Sequence, residues 1–211
     1  MEVLTAFVRE NAPAPVVESR IYRRWEVEEE EVEKEGDEEG APDAKRSTDV
    51  QAILTVLGRR SEKNRRDELQ PLDLSGTDLR GMTLKGAVFE KTLFYGAWLN
   101  AANMIGGHFS EAEFGGTRLR FAQACDADFS KAYMRFADFK GADLTRAKMI
   151  NTELEYAIFK YAITDETVLT GANLPWATYF TQDHLDGAIV NEQTILPNIS
   201  SIGSPKDGIP F

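Results

Sequence analysis

Few side chains in this 211-residue chain are of the types that perform covalent chemistry. Cys125 is the only thiol, and His108 and His184 are the only imidazoles. One cysteine and two histidines cannot assemble the usual zinc sets. His108, Ser110, Asp128 and Ser130 supply a base, hydroxyls and an acid, the ingredients of a nucleophilic triad if the backbone brings them together. Gly106–Gly107 precedes no Lys-Ser/Thr pair, so it is not a phosphate loop, and no dinucleotide fingerprint occurs. Whether the histidine and serines meet depends on the elements that carry them.

The chain has room for one ordinary domain plus extras, and at 42% hydrophobic it can bury a sizeable core. A single cysteine allows no disulfide within the chain and makes a reducing compartment the default, so a cytoplasmic location is expected. No apolar run approaches the roughly 18–20 residues of a membrane span. The opening MEVLTAFVREN lacks the basic start and long apolar centre of a secretory signal. The net charge of −11 is concentrated in one place. Residues 26–40, EVEEEEVEKEGDEEG, hold ten acids against one lysine, which leaves a net of only −2 for the remainder. Such a self-repelling segment cannot bury itself and reads as a solvated, disordered linker.

Two helices are expected ahead of the chain's middle. Leu4, Phe7 and Val8 share a helical face, with Pro13 and Pro15 ending the helix. It starts without a cap, the pattern of a helix continuing from a longer region. Arg20, Arg23 and Arg24 then precede the acidic run. In the second helix Thr48 and Gln51 form a capping box, Val50, Ile53, Leu54 and Leu57 the apolar face, and Gly58 the stop.

From Leu72 a period of five takes over. A large residue, position i, recurs from Leu74 to Tyr179 in 22 consecutive units, and it is Leu, Phe, Met or Tyr in 20 of them. Position i−2 is Ala, Thr or Gly in 20. Five residues of α-helix advance about 500°, which would scatter the large residues around the axis. A flat strand would flip them at each odd step. A chain that turns a corner once per pentad keeps i−2 and i inside, with i−1, i+1 and i+2 facing water. Glycine at i+2, as in Gly76, Gly96, Gly116 and Gly141, eases that corner. A wound parallel solenoid follows.

Units such as ADFKG, ADLTR, ANLPW and TDLRG resemble the pentapeptide-repeat family, whose pattern is A(D/N)LXX. The resemblance covers residues 72–180, about half the chain. It implies an all-β solenoid, a right-handed, four-sided parallel β-helix of about five coils, about 26 Å long at roughly 4.8 Å per coil; spacing alone would also permit three sides. The expected organisation is an N-terminal amphipathic helix and basic segment (1–25), an acidic disordered linker (26–46), a capping helix and lead-in (47–71), the β-helix (72–180), and a C-terminal cap and tail (181–211). Both ends of such a column expose edges that need covers. Helix 48–57 closes the first, while Thr181 as a helix cap with Leu185, Ile189 and Val190 as apolar contacts closes the second. An edge that residues 181–211 leave uncovered would pair two columns end to end as a homodimer.

With twenty residues per coil, His108, Asp128 and Lys148 stack on one wall, with Ser110 and Ser130 beside them. These are outward positions without a pocket or an oxyanion hole, so a solvated ladder is expected rather than an enzyme. A second wall is more informative. Its i+1 column reads Arg80, Asn100, Arg120, Lys140, Lys160, with Arg118 beside it, and Asp78 and Asp138 dilute the basic field. Across a corner stand Phe136, Tyr156 and Trp176, and Tyr95 and Tyr133 lie on the preceding wall. A basic ladder bordering an aromatic stripe suits an interaction surface, although such aromatics also stabilise corners by stacking. Ala124 and Thr164 break the interior rule, leaving a local void or drawing a neighbour such as Phe121 inward.

The best-known activity in the family is protection of DNA gyrase by mimicry of DNA. A duplex carries one negative charge per about 1.7 Å, roughly 15 over this length. Residues 72–180 contain 13 acids and 11 bases, which disfavours such a topoisomerase modulator. The slight acidity also disfavours a nucleic-acid binder. The expected function is a non-catalytic protein–protein interaction scaffold with an unidentified protein partner and no cofactor, metal or small-molecule substrate. The resemblance further implies a bacterial, in particular cyanobacterial, source.

Overall fold

The computed structural model describes residues 2–14, 44–60 and 70–197. Helix α1 spans Glu2–Asn11, α2 spans Ala44–Gly58 and α3 spans Gln182–Gly187. The segment with Arg20, Arg23 and Arg24, the acidic run 26–40 and the tail beyond 197 lie outside the described residues.

Between Asp73 and Thr178 the chain forms parallel bridges at a constant register of twenty, from Asp73↔Leu93 to Ile158↔Thr178. A corner falls every five residues, so each coil has four sides. Each described side contributes one bridged residue rather than a continuous strand, because the chain bends again before a ladder can extend. Every i+2 residue from Gly76 to Trp176 has φ between 54° and 70°. That left-handed conformation costs an L-residue about 1–2 kcal/mol, yet many corners carry side chains. Several of these interact along their column. Arg146 donates two hydrogen bonds to Asp126 one coil away (2.7 and 2.8 Å), and Lys91 pairs with Glu111 (3.6 Å). The Arg146 guanidinium holds the Asp126 carboxyl below its usual range.

Inside, the residues at position i are buried from Leu74 to Leu174, with alanines and threonines filling i−2. Thr117, Thr152 and Thr167 donate to Phe94 O, Phe129 O and Leu144 O of the preceding coil at 2.7, 3.0 and 2.7 Å, whereas the Thr92 hydroxyl is buried without a partner among the described residues. Phenylalanines stack one coil apart, Phe94 on Phe114 at 4.8 Å and Phe109 on Phe129 at 5.3 Å, and the two stacks meet edge-to-face. Aromatic pairs favour these offset and T-shaped arrangements.

Four expectations need correction in this part of the chain. Tyr179 is not the last interior residue; it takes a positive φ (57°), and Phe180 is buried instead, because the cap takes over from the repeat there. Phe121 is not drawn into the Ala124 level but is 52% exposed, and Ala124 itself is buried. In α1 the buried residues are Thr5 and Val8, with Leu4 packed against the core, whereas Phe7 is exposed. The second helix begins at Ala44, so Thr48 lies inside it rather than at its cap.

Gln51 has a different task from the expected capping box. Its amide pairs with the backbone of Thr83, accepting from Thr83 N–H (2.7 Å) and donating to Thr83 O (2.9 Å). It thereby imitates a missing strand. Two further sides of the first coil are closed by backbone: Asp78 N–H donates to Ala12 O (2.6 Å) and Val88 N–H to Gly58 O (2.9 Å). Val50, Leu54 and Leu57 of α2 cover the apolar end beneath these bonds. Buried backbone groups must find partners, and the sides at Asp78, Thr83 and Val88 each have one.

At the other end the register stretches to Val168↔Ile189 and Asn173↔Ile195. Glu166, Leu169 and Leu174 donate to the carbonyls of Gly187, Ile189 and Ile195 at 2.7–2.8 Å. Leu185, Ala188 and Leu196 pack on the core, but Ile189 and Val190 are exposed, so at position 189 the backbone closes the edge rather than the side chain. Thr181 is the N-cap of α3, and its backbone N–H donates to His184 Nδ1 (3.0 Å). The imidazole stacks on Phe180 at 5.5 Å. Burial lowers the His184 pKa, and nearby carbonyls of Ala162 and Phe159 and the charge of Asp183 only partly oppose this. The neutral ring is therefore the form that caps. Its contribution is complete above the unfolded-state value of about 6.5 and is lost as pH falls from there through the folded-state value. Acidification from neutrality should lower the melting temperature and reduce the amide-exchange protection factors of Glu166 and Leu169. Both responses should flatten in His184→Asn, whose amide does not titrate.

Candidate interaction surface

The wall between the corners at positions 116 and 121 carries two outward columns. One reads Asp78, Trp98, Arg118, Asp138, Ile158, Thr178, bridged residue to residue. The other contains Arg80, Asn100, Arg120, Lys140 and Lys160, so the predicted basic residues do stand on one face. Five cations face two carboxylates on this wall.

Its first levels are occupied with themselves. The Arg80 guanidinium makes a bidentate pair with Asp78 (2.8 and 2.7 Å). It also lies over the Trp98 ring at 5.1 Å, and Arg118 lies over the same ring at 4.2 Å. Trp98 is consequently only 3% exposed, although it occupies an i−1 position expected to face water. Arg120 pairs with Asp138 (2.6 Å), whose other oxygen accepts the Lys140 backbone N–H (3.0 Å). Within the basic ladder, Arg80 and Arg120 thus hold the carboxylates expected to dilute it, and Arg118 serves as a lid on Trp98.

The last levels carry Lys140 and Lys160. Lys140 makes no ion pair among the described residues. The Lys160 ammonium lies 5.3 Å from the Tyr161 ring centroid and 5.4 Å from that of Tyr179. On the preceding corner Phe136, Tyr156 and Trp176 form a continuous stack, with centroids 5.0 and 5.1 Å apart and planes within 4° and 12° of parallel. The following corner carries Phe121 and Tyr161, 52% and 69% exposed. The Phe121 ring reaches across Gly141, where an added Cβ would stand 2.6 Å from it. The wall therefore has aromatic borders on both sides. Sequence reasoning missed the second border, although positions 121 and 161 are both i+2 and forty residues apart, which places them in one corner column.

Tyr95 and Tyr133 flank Gly115, whose missing side chain gives both rings their room. Beyond them, Arg135 pairs with Glu155 and lies 5.9 Å from the Tyr133 and Phe136 rings.

The serine and histidine group forms a stack on one wall. His108, Asp128 and Lys148 are bridged in sequence. The Asp128 carboxylate accepts the Ser130 backbone N–H (2.9 Å), and no hydrogen bond joins His108 to either serine among the described residues. Burial, and then a hydrogen bond with Asp143, pushes the Cys125 thiol up to about 11, so it stays protonated at neutral pH. Among the described residues no three His, Cys, Asp or Glu side chains are grouped to hold a metal ion, and no helix is long and apolar enough to cross a membrane.

The Pentapeptide repeats family profile matches residues 73–110 and 108–146, with eight copies. No curated protein matches. Among solved structures the chain is similar to a pentapeptide repeat protein from the Arabidopsis thaliana thylakoid lumen, at 27% identity over 46% of this chain and 65% of that one, TM-score 0.35. It is similar to HetL of the cyanobacterium Nostoc sp. strain PCC 7120, a protein involved in heterocyst differentiation regulation, at 26% identity over 61% of this chain and 59% of that one, TM-score 0.23. It is also similar to QnrB1, a plasmid-mediated fluoroquinolone resistance protein, at 16% identity over 61% of this chain and 76% of that one, TM-score 0.29. The chain spans less than two thirds of the length of the Arabidopsis protein and of HetL.

Proposed function

The chain belongs to the pentapeptide-repeat family, and from that premise we propose that its column is a non-catalytic scaffold that binds a protein partner through the wall bearing Lys140 and Lys160. Right-handed winding and a length of about five coils belong to the same proposal. The observation that carries the binding reading is the pair of aromatic borders: exposed rings on both corners of the one wall with an excess of cations. Aromatic and cationic side chains together are enriched at protein interfaces. A rigid column suits such a role, since the binding groups are held by neighbouring coils and little ordering is needed on association. A duplex mimic is not favoured, because the 13 acids and 11 bases of residues 72–180 leave too little net charge.

Affinity capture from the source organism's lysate tests the reading. Wild type should retain a partner that the Lys140→Glu/Lys160→Glu variant loses at unchanged melting temperature. Arg120 is left intact because its replacement would strip Asp138 of its ion pair and confound binding with stability. Capture of the same partners by both proteins would remove this wall from consideration.

A further inference from the structure

We propose that the last levels of this wall bind a carboxylate-rich peptide segment, which rests on the scaffold reading above and names the chemistry of its partner. Lys140 and Lys160 share one column, their backbones a single coil apart at about 4.8 Å, and the Lys160 ammonium leans to the Tyr161 and Tyr179 rings, so successive levels of the wall each supply one cation. The aromatic border beside them adds to the same sign. In the stack Phe136–Tyr156–Trp176 the rings turn their faces toward one another, which leaves mainly edges to meet a ligand on the wall. An aromatic ring carries negative charge on its face and positive charge at its edge. A cationic floor beside positive ring edges is complementary to discrete carboxylates.

The same geometry argues against a nucleic-acid ligand. Single strands are held by bases stacked on open aromatic faces above a positive groove, and here most of those faces are already occupied by neighbouring rings. Discrete carboxylates on a flexible peptide can be spaced to reach both Lys140 and Lys160. An apolar partner segment is disfavoured by the charged floor itself.

Fluorescence anisotropy on the full chain decides the matter with three labelled probes: a Glu-Ser repeat peptide, its Gln-Ser counterpart and oligo-dT. The Glu-Ser peptide should bind, weaken as salt is raised, and lose about tenfold or more in affinity for both Lys140→Glu/Lys160→Glu and the milder Lys140→Gln/Lys160→Gln. Lys148→Glu, on another wall, should leave binding unchanged. Equal binding of the Gln-Ser peptide, tighter binding of oligo-dT, or indifference to both double variants at unchanged melting temperature would overturn the proposal. Failure of the Glu-Ser peptide alongside continued loss of the captured partner from the charge-reversed variant would sink the acidic-peptide inference and leave the scaffold reading standing. If capture is also indifferent to that variant, both fall.

Discussion

Phe109→Ala should destabilise the protein by about 3–5 kcal/mol, the usual range for emptying a buried phenylalanine site. Phe109 is wholly buried and touches both phenylalanine stacks, lying 5.3 Å from Phe129 and 6.3 Å from Phe89 in its own, and 5.8 Å and 6.2 Å from Phe114 and Phe94 in the other. The cavity cannot collapse easily, because the walls around it are bridged above and below at fixed register. Phe109→Leu retains most of the volume and should cost less than about 1.5 kcal/mol. Urea unfolding followed by circular dichroism separates the two. Similar midpoints for both variants would mean that the column relaxes around a void, contrary to a close-packed interior.

Gly58→Ala carries the second large effect, and its sign is diagnostic. Alanine within a helix is ordinarily favoured over glycine by about 1 kcal/mol. At the end of α2, however, an added Cβ would stand 2.6 Å from Ala87 Cβ and 3.2 Å from the Phe89 ring. Ala87 has no side-chain torsion with which to retreat, so helix and wall must separate. Their separation strains the Val88–Gly58 bond and the Gln51–Thr83 pair together, for an expected loss of about 1–3 kcal/mol. Amide exchange at Thr83 and Val88 should accelerate first. A variant that melts higher than wild type would mean that the helix end is not wedged against the coil. Ala52→Gly, on the exposed side of the same helix, provides the pure propensity reference.

Much of this was legible beforehand because one local rule recurs without interruption. Every corner falls at i+2, so the small and large residues between corners fall inside whatever their chemistry. Knowing the period also identifies which outer residues are neighbours, and the candidate wall was located that way. What the pattern cannot state is which partner each outer side chain selects among those neighbours. Trp98 lies at a position that points outward, and it is buried only because Arg80 and Arg118 fold over it from the coils on either side. Arg120 turns to Asp138, one coil on, a pairing that the two columns by themselves do not specify. Gln51 resembles half of a local capping box, yet its amide goes to Thr83, thirty-two residues away, because a bare strand edge requires a donor and an acceptor there. Phe121 and Tyr161 escaped notice as a border because Gly141 separates them in their column.

The twenty-residue register has a consequence for how such a chain can change its length. Gain or loss of a single residue breaks the alternation of interior and corner and would be selected against. Gain of a whole coil moves the levels beyond it along the axis and leaves their walls in line. Gain of one pentad is the subtle case: the interior tolerates it, but everything downstream rotates by a quarter turn. Duplicating five residues before Lys140 would swing Lys140 and Lys160 onto a neighbouring wall, away from Trp98 and Arg118, without disturbing the interior pattern. Lineages descended from one ancestral column could therefore acquire different partners by reindexing which wall each level faces, with no change in the residues that do the binding.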